Sequence, residues 1–132
     1  MRLQELIRDT KKEYPLSVVL AKSGNFYITY DDDGFILSYL FSYQINDNKV
    51  GFPINSIDKV LNKLKESKVN VIIIDSNINY KYEDNNYSDV LYKAKREYYN
   101  DLNTKLLIDE IEFLIKNNPD NINIIRNFIN EL

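Results

Sequence analysis

The stretch that most constrains this chain is residues 16–41, LSVVLAKSGNFYITYDDDGFILSYLF. Val18, Val19 and Leu20 form an apolar run, Ser23 and Gly24 interrupt it, and Phe26 to Tyr30 resume extended structure. This is the pattern of two strands joined by a tight turn, and so short a turn pairs its strands as a hairpin. Asp31, Asp32 and Asp33 then offer an N-cap and first-turn negative charge to a helix whose apolar face is Phe35, Ile36, Tyr39 and Leu40. A hairpin that runs straight into a helix restricts the fold to the α/β class.

The remaining segments extend that frame. Residues 2–13 pattern as a short amphipathic helix, with Leu3, Leu6 and Ile7 on one side and Arg2, Arg8, Lys11 and Lys12 on the rest; Pro15 ends it. Those four bases suit either a phosphate-contacting helix or, more commonly, a solvated face. Tyr43–Asn46 and Lys49–Phe52 flank Asp47-Asn48, a turn sequence that predicts two short strands. Pro53 stops the ladder, Asn55 or Ser56 can cap, and Ile57, Val60, Leu61 and Leu64 recur at helical spacing, with Lys59, Lys63, Lys65 and Lys68 on the exterior. Val69 to Ile74 is β-branched almost throughout, as expected of a strand buried on both faces.

Residues 76–88 are polar and turn-rich and read as a linker, and from Asp89 onward the chain reads as helical. One helix stops at Asn117-Asn118; Asn118 then reads as the N-cap of a last helix with Pro119 at its first position. That helix carries Ile122, Ile125, Phe128, Ile129 and Leu132 on one stripe, so the two form a helical hairpin with an apolar seam to bury. The expected architecture is a mixed β-sheet of about five strands flanked by α-helices. Residues 1–80 form that α/β domain and 81–132 a helical C-terminal extension packed on it.

Function classes are narrowed by what the chain lacks. With no Cys and no His, thiol nucleophiles, disulfides, imidazole bases and the usual zinc ligands are removed. Gly24, Gly34 and Gly51 are too scattered to cradle a nucleotide phosphate. The acidic triplet Asp31–Asp33 with Asp75 could be read as an oxygen-ligand site for magnesium, but a helix cap and a strand-end polar residue explain the same residues, and no metal or other cofactor is expected. Met1 to Tyr14 has no long apolar core, and no apolar run approaches the roughly 20 residues of a membrane span, so a cytoplasmic location and no membrane partner are expected. A net charge of -3 argues against strong sequence-independent binding to nucleic acid.

Three motifs in order carry a resemblance. Ser23-Gly24-Asn25-Phe26-Tyr27 followed by the acidic cluster and helix, Gly51-Phe52-Pro53 with the helix ending in Leu61-Asn62-Lys63-Leu64, and the strand Val69–Asp75 resemble the N-terminal mismatch-recognition domain of the MutS DNA mismatch-repair family, over about residues 3–77. The resemblance implies that family's fold and a non-catalytic accessory protein that binds DNA or DNA-processing proteins. It also implies a DNA-contacting role for Phe26, with Asn25 and Lys22 beside it, because the family's matching Phe stacks as a wedge on the mismatched base. The family's acidic residue two positions later is Ile28 here. Phe26, Ile28 and Tyr30 therefore make a continuous apolar strand face, expected to be covered by the chain's own helices, those of residues 102–132 in particular, or by another protein. The alternative function is a protein–protein interaction module that kept the fold and lost DNA contact, docking a partner or dimerising through the C-terminal helices.

Overall fold

The computed structural model describes residues 2–132. In chain order they form α1 (Leu3–Glu13), β1 (Ser17–Ser23), β2 (Phe26–Tyr30), α2 (Asp31–Phe41), β3 (Lys49–Pro53), a single 3₁₀ turn (Ile54–Ser56), α3 (Ile57–Glu66), β4 (Asn70–Ile73), β5 (Asn79–Tyr80), α4 (Tyr87–Asn117) and α5 (Asn121–Asn130). The five strands make one mixed sheet in the order β3-β2-β1-β4-β5. The β1–β4 pair is parallel, with Val18 opposite Val71 and Leu20 opposite Ile73, and the other three pairs are antiparallel. The fold is thus α/β, a five-stranded sheet flanked by helices, with two helices at the C-terminal end.

The central strand explains the layering. Val18, Val19, Leu20 and Ala21 are all buried, and strand alternation sends them to opposite faces. Val18 and Leu20 join the larger core with Ile36 and Leu37 of α2, Val60 and Leu64 of α3, and Tyr87 and Val90 at the start of α4. Val19 and Ala21 join a smaller core with Ile28, closed by Ile7 and Leu3 of α1. Phe52 on β3 is fully buried and is flanked by stacked rings, Tyr27 and Tyr43 each at 5.7 Å, with Phe41 at 5.2 Å from Tyr43.

Contacts divide the chain into a unit ending at Glu97 and a second unit, Tyr98–Leu132. The division falls inside α4, beyond the break that the polar stretch after residue 80 suggests, because Tyr87, Val90 and Ala94 are core residues of the first unit. The second unit consists of the rest of α4, a short turn and α5. At that turn α5 begins at Asn121 rather than at Pro119, and the Asn118 side chain accepts a hydrogen bond from the Asp120 amide at 3.2 Å.

Two local expectations are corrected. Tyr43–Asn46 does not form a strand beyond a single bridge between Asn46 and Lys49; β3 pairs with β2 instead, in full register from Phe26–Pro53 to Tyr30–Lys49. The turn itself is as read, with Asp47 and Asn48 both at positive φ (50° and 63°), the geometry that suits a tight hairpin. Residues 76–88 are not a free linker either. They contain β5, which pairs with β4, and Asn85 bridges several elements: its side-chain oxygen accepts from the Asn70 and Tyr87 amides, and its amide group donates to the Leu16 carbonyl at 2.8 Å. Side-chain polarity signals a turn, and here it also closes the hydrogen bonds of an edge.

One polar cluster ties the layers together. Asp33, in the first turn of α2, is 2% exposed, and its carboxylate accepts from the Lys11 ammonium at 2.6 Å, the Tyr87 hydroxyl at 2.6 Å and the Val19 amide at 3.0 Å. Lys11 also donates to the Ser17 carbonyl at 2.6 Å and to the Tyr87 oxygen at 2.8 Å. Four elements, α1, β1, α2 and α4, therefore meet at one carboxylate. Burial pushes the Asp33 carboxyl above the usual carboxylate range, opposed by the Lys11 charge and the donated hydrogen bonds. Burial, then the charge of Asp33, pushes the Tyr87 phenol up.

Removing one member leaves the others with unmatched groups in a dry site, so Asp33→Ala is expected to lower unfolding free energy by about 3 kcal/mol in urea titrations. The pH dependence has a definite sign. A folded pKa raised above 3.8 means that the folded chain takes up this proton before the unfolded chain does, so the contribution of Asp33 to stability grows as pH falls through the raised pKa. Urea titrations at about pH 7 and about pH 4 should show wild type gaining on Asp33→Asn at the lower pH.

Candidate nucleic-acid interface

The hairpin tip is built by the residues that break the strand pattern. Gly24 at φ 59° with Asn25 closes a two-residue turn, which sets Ser23 opposite Phe26 and Lys22 opposite Tyr27. The far side of the tip is held by the edge strand: Phe26 pairs with Pro53, and the Ile54 amide donates to the Asn25 carbonyl at 3.0 Å. Pro53 is tolerated there because β3 is an edge. Lys22, Asn25 and Phe26 are all exposed, so the three residues singled out in the sequence lie together at one end of the sheet.

Phe26 itself is 51% exposed, so the chain's own helices do not cover the whole of the Phe26–Ile28–Tyr30 face. The three side chains share a face, but cover is supplied only over its inner part. Ile28 is 9% exposed and packs with Val19, Ala21 and Ile7, while Tyr30 is half-buried beside the same cluster with the Arg8 guanidinium 5.6 Å from its ring centre. The covering element over Ile28 is α1. The tip, where Phe26 stands, carries no such cover among the described residues.

The bases and acids that read as surface charges are largely paired with one another. Arg8 pairs with Asp31 at 3.3 Å, Lys11 with Asp33 at 2.6 Å, Lys12 with Asp9 at 3.8 Å and Lys95 with Asp32 at 3.2 Å. The acidic triplet thus diverges to three cations on α1 and α4 rather than converging on a cation site with Asp75. On the other side of the sheet Lys68 and Asp84 pair at 2.6 Å, and their hydrogen bond holds the Asp84 carboxyl below the usual carboxylate range. Beside the tip, Lys22 and Asp75 share a cleft of 160 Å³ lined also by Leu3, Ala21, Tyr27, Ile73, Ile74 and Ser76.

The arrangement can offer a nucleic acid one flat apolar ring, one ammonium group and one side-chain amide. A ring so placed can stack on a base, a lysine can meet a phosphate, and an asparagine can hydrogen-bond either. Sequence reasoning misses the Lys11–Asp33–Tyr87 cluster. Its available signal is spacing: Lys11 stands four residues from Ile7 and eight from Leu3, on the helix face that those residues bury.

Comparison with models of known protein families finds no match to this chain, and comparison with curated proteins finds none either.

Two substitutions separate the exposed ring from its buried neighbour. Ile28→Ala is expected to cost about 2–4 kcal/mol of stability by emptying the α1-covered core. Phe26→Ala, at a half-exposed tip, should stay within about 0.5–1 kcal/mol of wild type. Chemical unfolding of both variants checks the pair.

Proposed function

We propose that this chain is a non-catalytic accessory protein of DNA metabolism, related in fold to the mismatch-recognition domain of the MutS family. It contacts DNA, or proteins that process DNA, through the hairpin tip at Phe26, with Asn25 and Lys22 as flanking polar contacts. The observation that carries this reading is the exposure of Phe26: an aromatic ring left half in water, at the end of a hairpin anchored by Pro53 and the Asn25–Ile54 hydrogen bond, is available to stack on a base. The reading calls for no nucleotide, metal or other cofactor, and a cytoplasmic location goes with it.

Affinity is low for physical reasons. Wedging between bases costs a few kcal/mol of unstacking, and the residue two positions beyond Phe26 is a buried Ile that can give no hydrogen bond in return. The net charge of -3 adds little phosphate neutralisation. A second reading, a protein-interaction module, is favoured by a separate observation: the apolar side chains of α4 beyond Glu97 and of α5 are exposed.

Fluorescence anisotropy with labelled matched and mismatched duplexes tests the first reading. Micromolar or weaker binding is expected, falling about three- to fourfold between about 50 and 200 mM salt for one phosphate contact, with Phe26→Ala weakening it about five- to tenfold through lost stacking and Lys22→Ala removing most of the salt dependence. Binding that ignores both substitutions would remove the tip from the interface. Incubating plasmid and single-stranded DNA with magnesium or manganese should give no cleavage; cleavage lost in Asp75→Ala would overturn the non-catalytic reading.

A further inference from the structure

The second unit, Tyr98–Leu132, presents an apolar surface too large for so small a structure. Among the described residues, eleven Leu, Ile and Phe side chains between Leu102 and Leu132 are 38% to 92% exposed, with Phe113 and Phe128 at 65% each. Together they expose on the order of 1,000 Å² of apolar area, where the largest patch on an ordinary monomer is about 300–600 Å². Residues half-shielded from water are few, Ile111 and Ile115 on α4 and Ile125 on α5 among them, so contact between the two helices uses only one stripe of each. Two open apolar grooves remain. One of 560 Å³ is lined by Leu106, Phe113 and Leu114 with Asp109 and Glu110 at its edge, and one of 360 Å³ by Ile115, Ile122, Ile125 and Ile129 with Arg126.

We propose that residues 98–132 are a homo-oligomerisation surface, occupied by the same segment of a second copy of this chain, the two helix pairs completing a four-helix bundle. The inference rests on the protein-interaction reading and is independent of DNA contact. Size is the first argument. A standard stable interface buries about 800 Å² per partner, which the exposed area supplies, whereas two helices with one shared stripe fall below the size at which a core supports itself. Composition is the second. The exposed groups are aliphatic and phenyl, as in subunit interfaces that resemble a core cut in half. Charge is the third: Asp101, Asp109, Glu110, Glu112, Asp120 and Glu131 outnumber Lys105, Lys116 and Arg126, so neither a nucleic acid nor an anionic lipid surface suits this face. A two-fold axis needs only a patch that tolerates itself, and an apolar patch with charges at its edge does so.

Light scattering coupled to size exclusion, with sedimentation velocity on the full chain, tests this. The expected mass is twice the chain's 15.6 kDa at micromolar concentration, and the double variant Leu106→Glu, Phe113→Glu should elute as a monomer, its dimer dissociation constant raised at least a hundredfold. Both positions are exposed, so unchanged helix content by circular dichroism is expected; the conservative pair Leu106→Met, Phe113→Leu should remain dimeric and guards against a variant that merely unfolds. A monomeric wild type overturns the proposal. Hydrogen exchange then separates two cases: slow exchange throughout 98–132 in that monomer means that the segment is packed within its own chain and sinks the interaction reading too. Fast exchange there overturns only the choice of partner.

Discussion

The structure depends on a carboxylate that is costly to take out of water. Asp33 lies almost wholly out of water, and a lone ionised carboxylate there would be intolerable. It is held because three different parts of the chain bring donors to it: an ammonium from α1, a phenol from α4 and a backbone amide from the central strand. The bond to Val19 is informative, since it takes a donor from a strand whose next residue, Leu20, is already in the ladder with β4. A purely apolar contact at this point could slide. A carboxylate with three directional donors fixes where α2 starts, how α1 lies on the sheet and where α4 leaves it. The cluster thus gives position rather than net stability, the use for which buried ion pairs are best attested.

That division between apolar and polar information also governs what can be read from the sequence. The strands around Val18–Leu20 and Val69–Ile74, the Gly24 turn and the positive-φ turn at Asp47-Asn48 are legible because each is set by local chemistry. Pairing partners are less so. Nothing local tells β3 to pair with β2 rather than with Tyr43–Asn46, because register is decided by the shared core of Val50 and Phe52 against Tyr27 and the helices. The polar run 76–88 misleads for the opposite reason: polar residues suggest solvent, yet Asn85 turns inward to three backbone groups. Lys11 reads as solvated although it continues the buried face of its own helix, since a charged residue on an apolar stripe is interpretable only when its counter-charge is known.

At the hairpin the shared face is legible in the sequence and its cover is not. Alternation correctly puts Phe26, Ile28 and Tyr30 on one face, but a strand outruns a short helix laid across it. Eleven residues of α1 shield Ile28 and reach Tyr30 through Arg8, and the tip beyond is left to water. An apolar residue at position 28 suits that cover, since Ile28 packs under Ile7 with Val19 and Ala21, where an unpartnered carboxylate would be costly. The same helix therefore stabilises the hairpin's base and leaves its end exposed.

The long helix α4 shows how the two halves of the chain differ. Its first three turns carry Tyr87, Val90 and Ala94 into the core, so the costly nucleation step is complete before the later turns add on. Propagation then continues to Asn117 through Leu102, Leu106, Leu107, Ile108, Phe113 and Leu114, exposed side chains that point to several sides of the axis. A helix that only needed to be solvated would alternate such residues with charges on one outward face, and a helix apolar on many sides belongs in the interior of something. Within 132 residues the sheet's own core is complete without these side chains, since its helices and strands already bury Val18, Leu20, Phe52 and Leu64 fully. These exposed apolar side chains are the groups that the proposed pairing with a second copy would bury, and a helix whose outer turns are held by its first ones can present them.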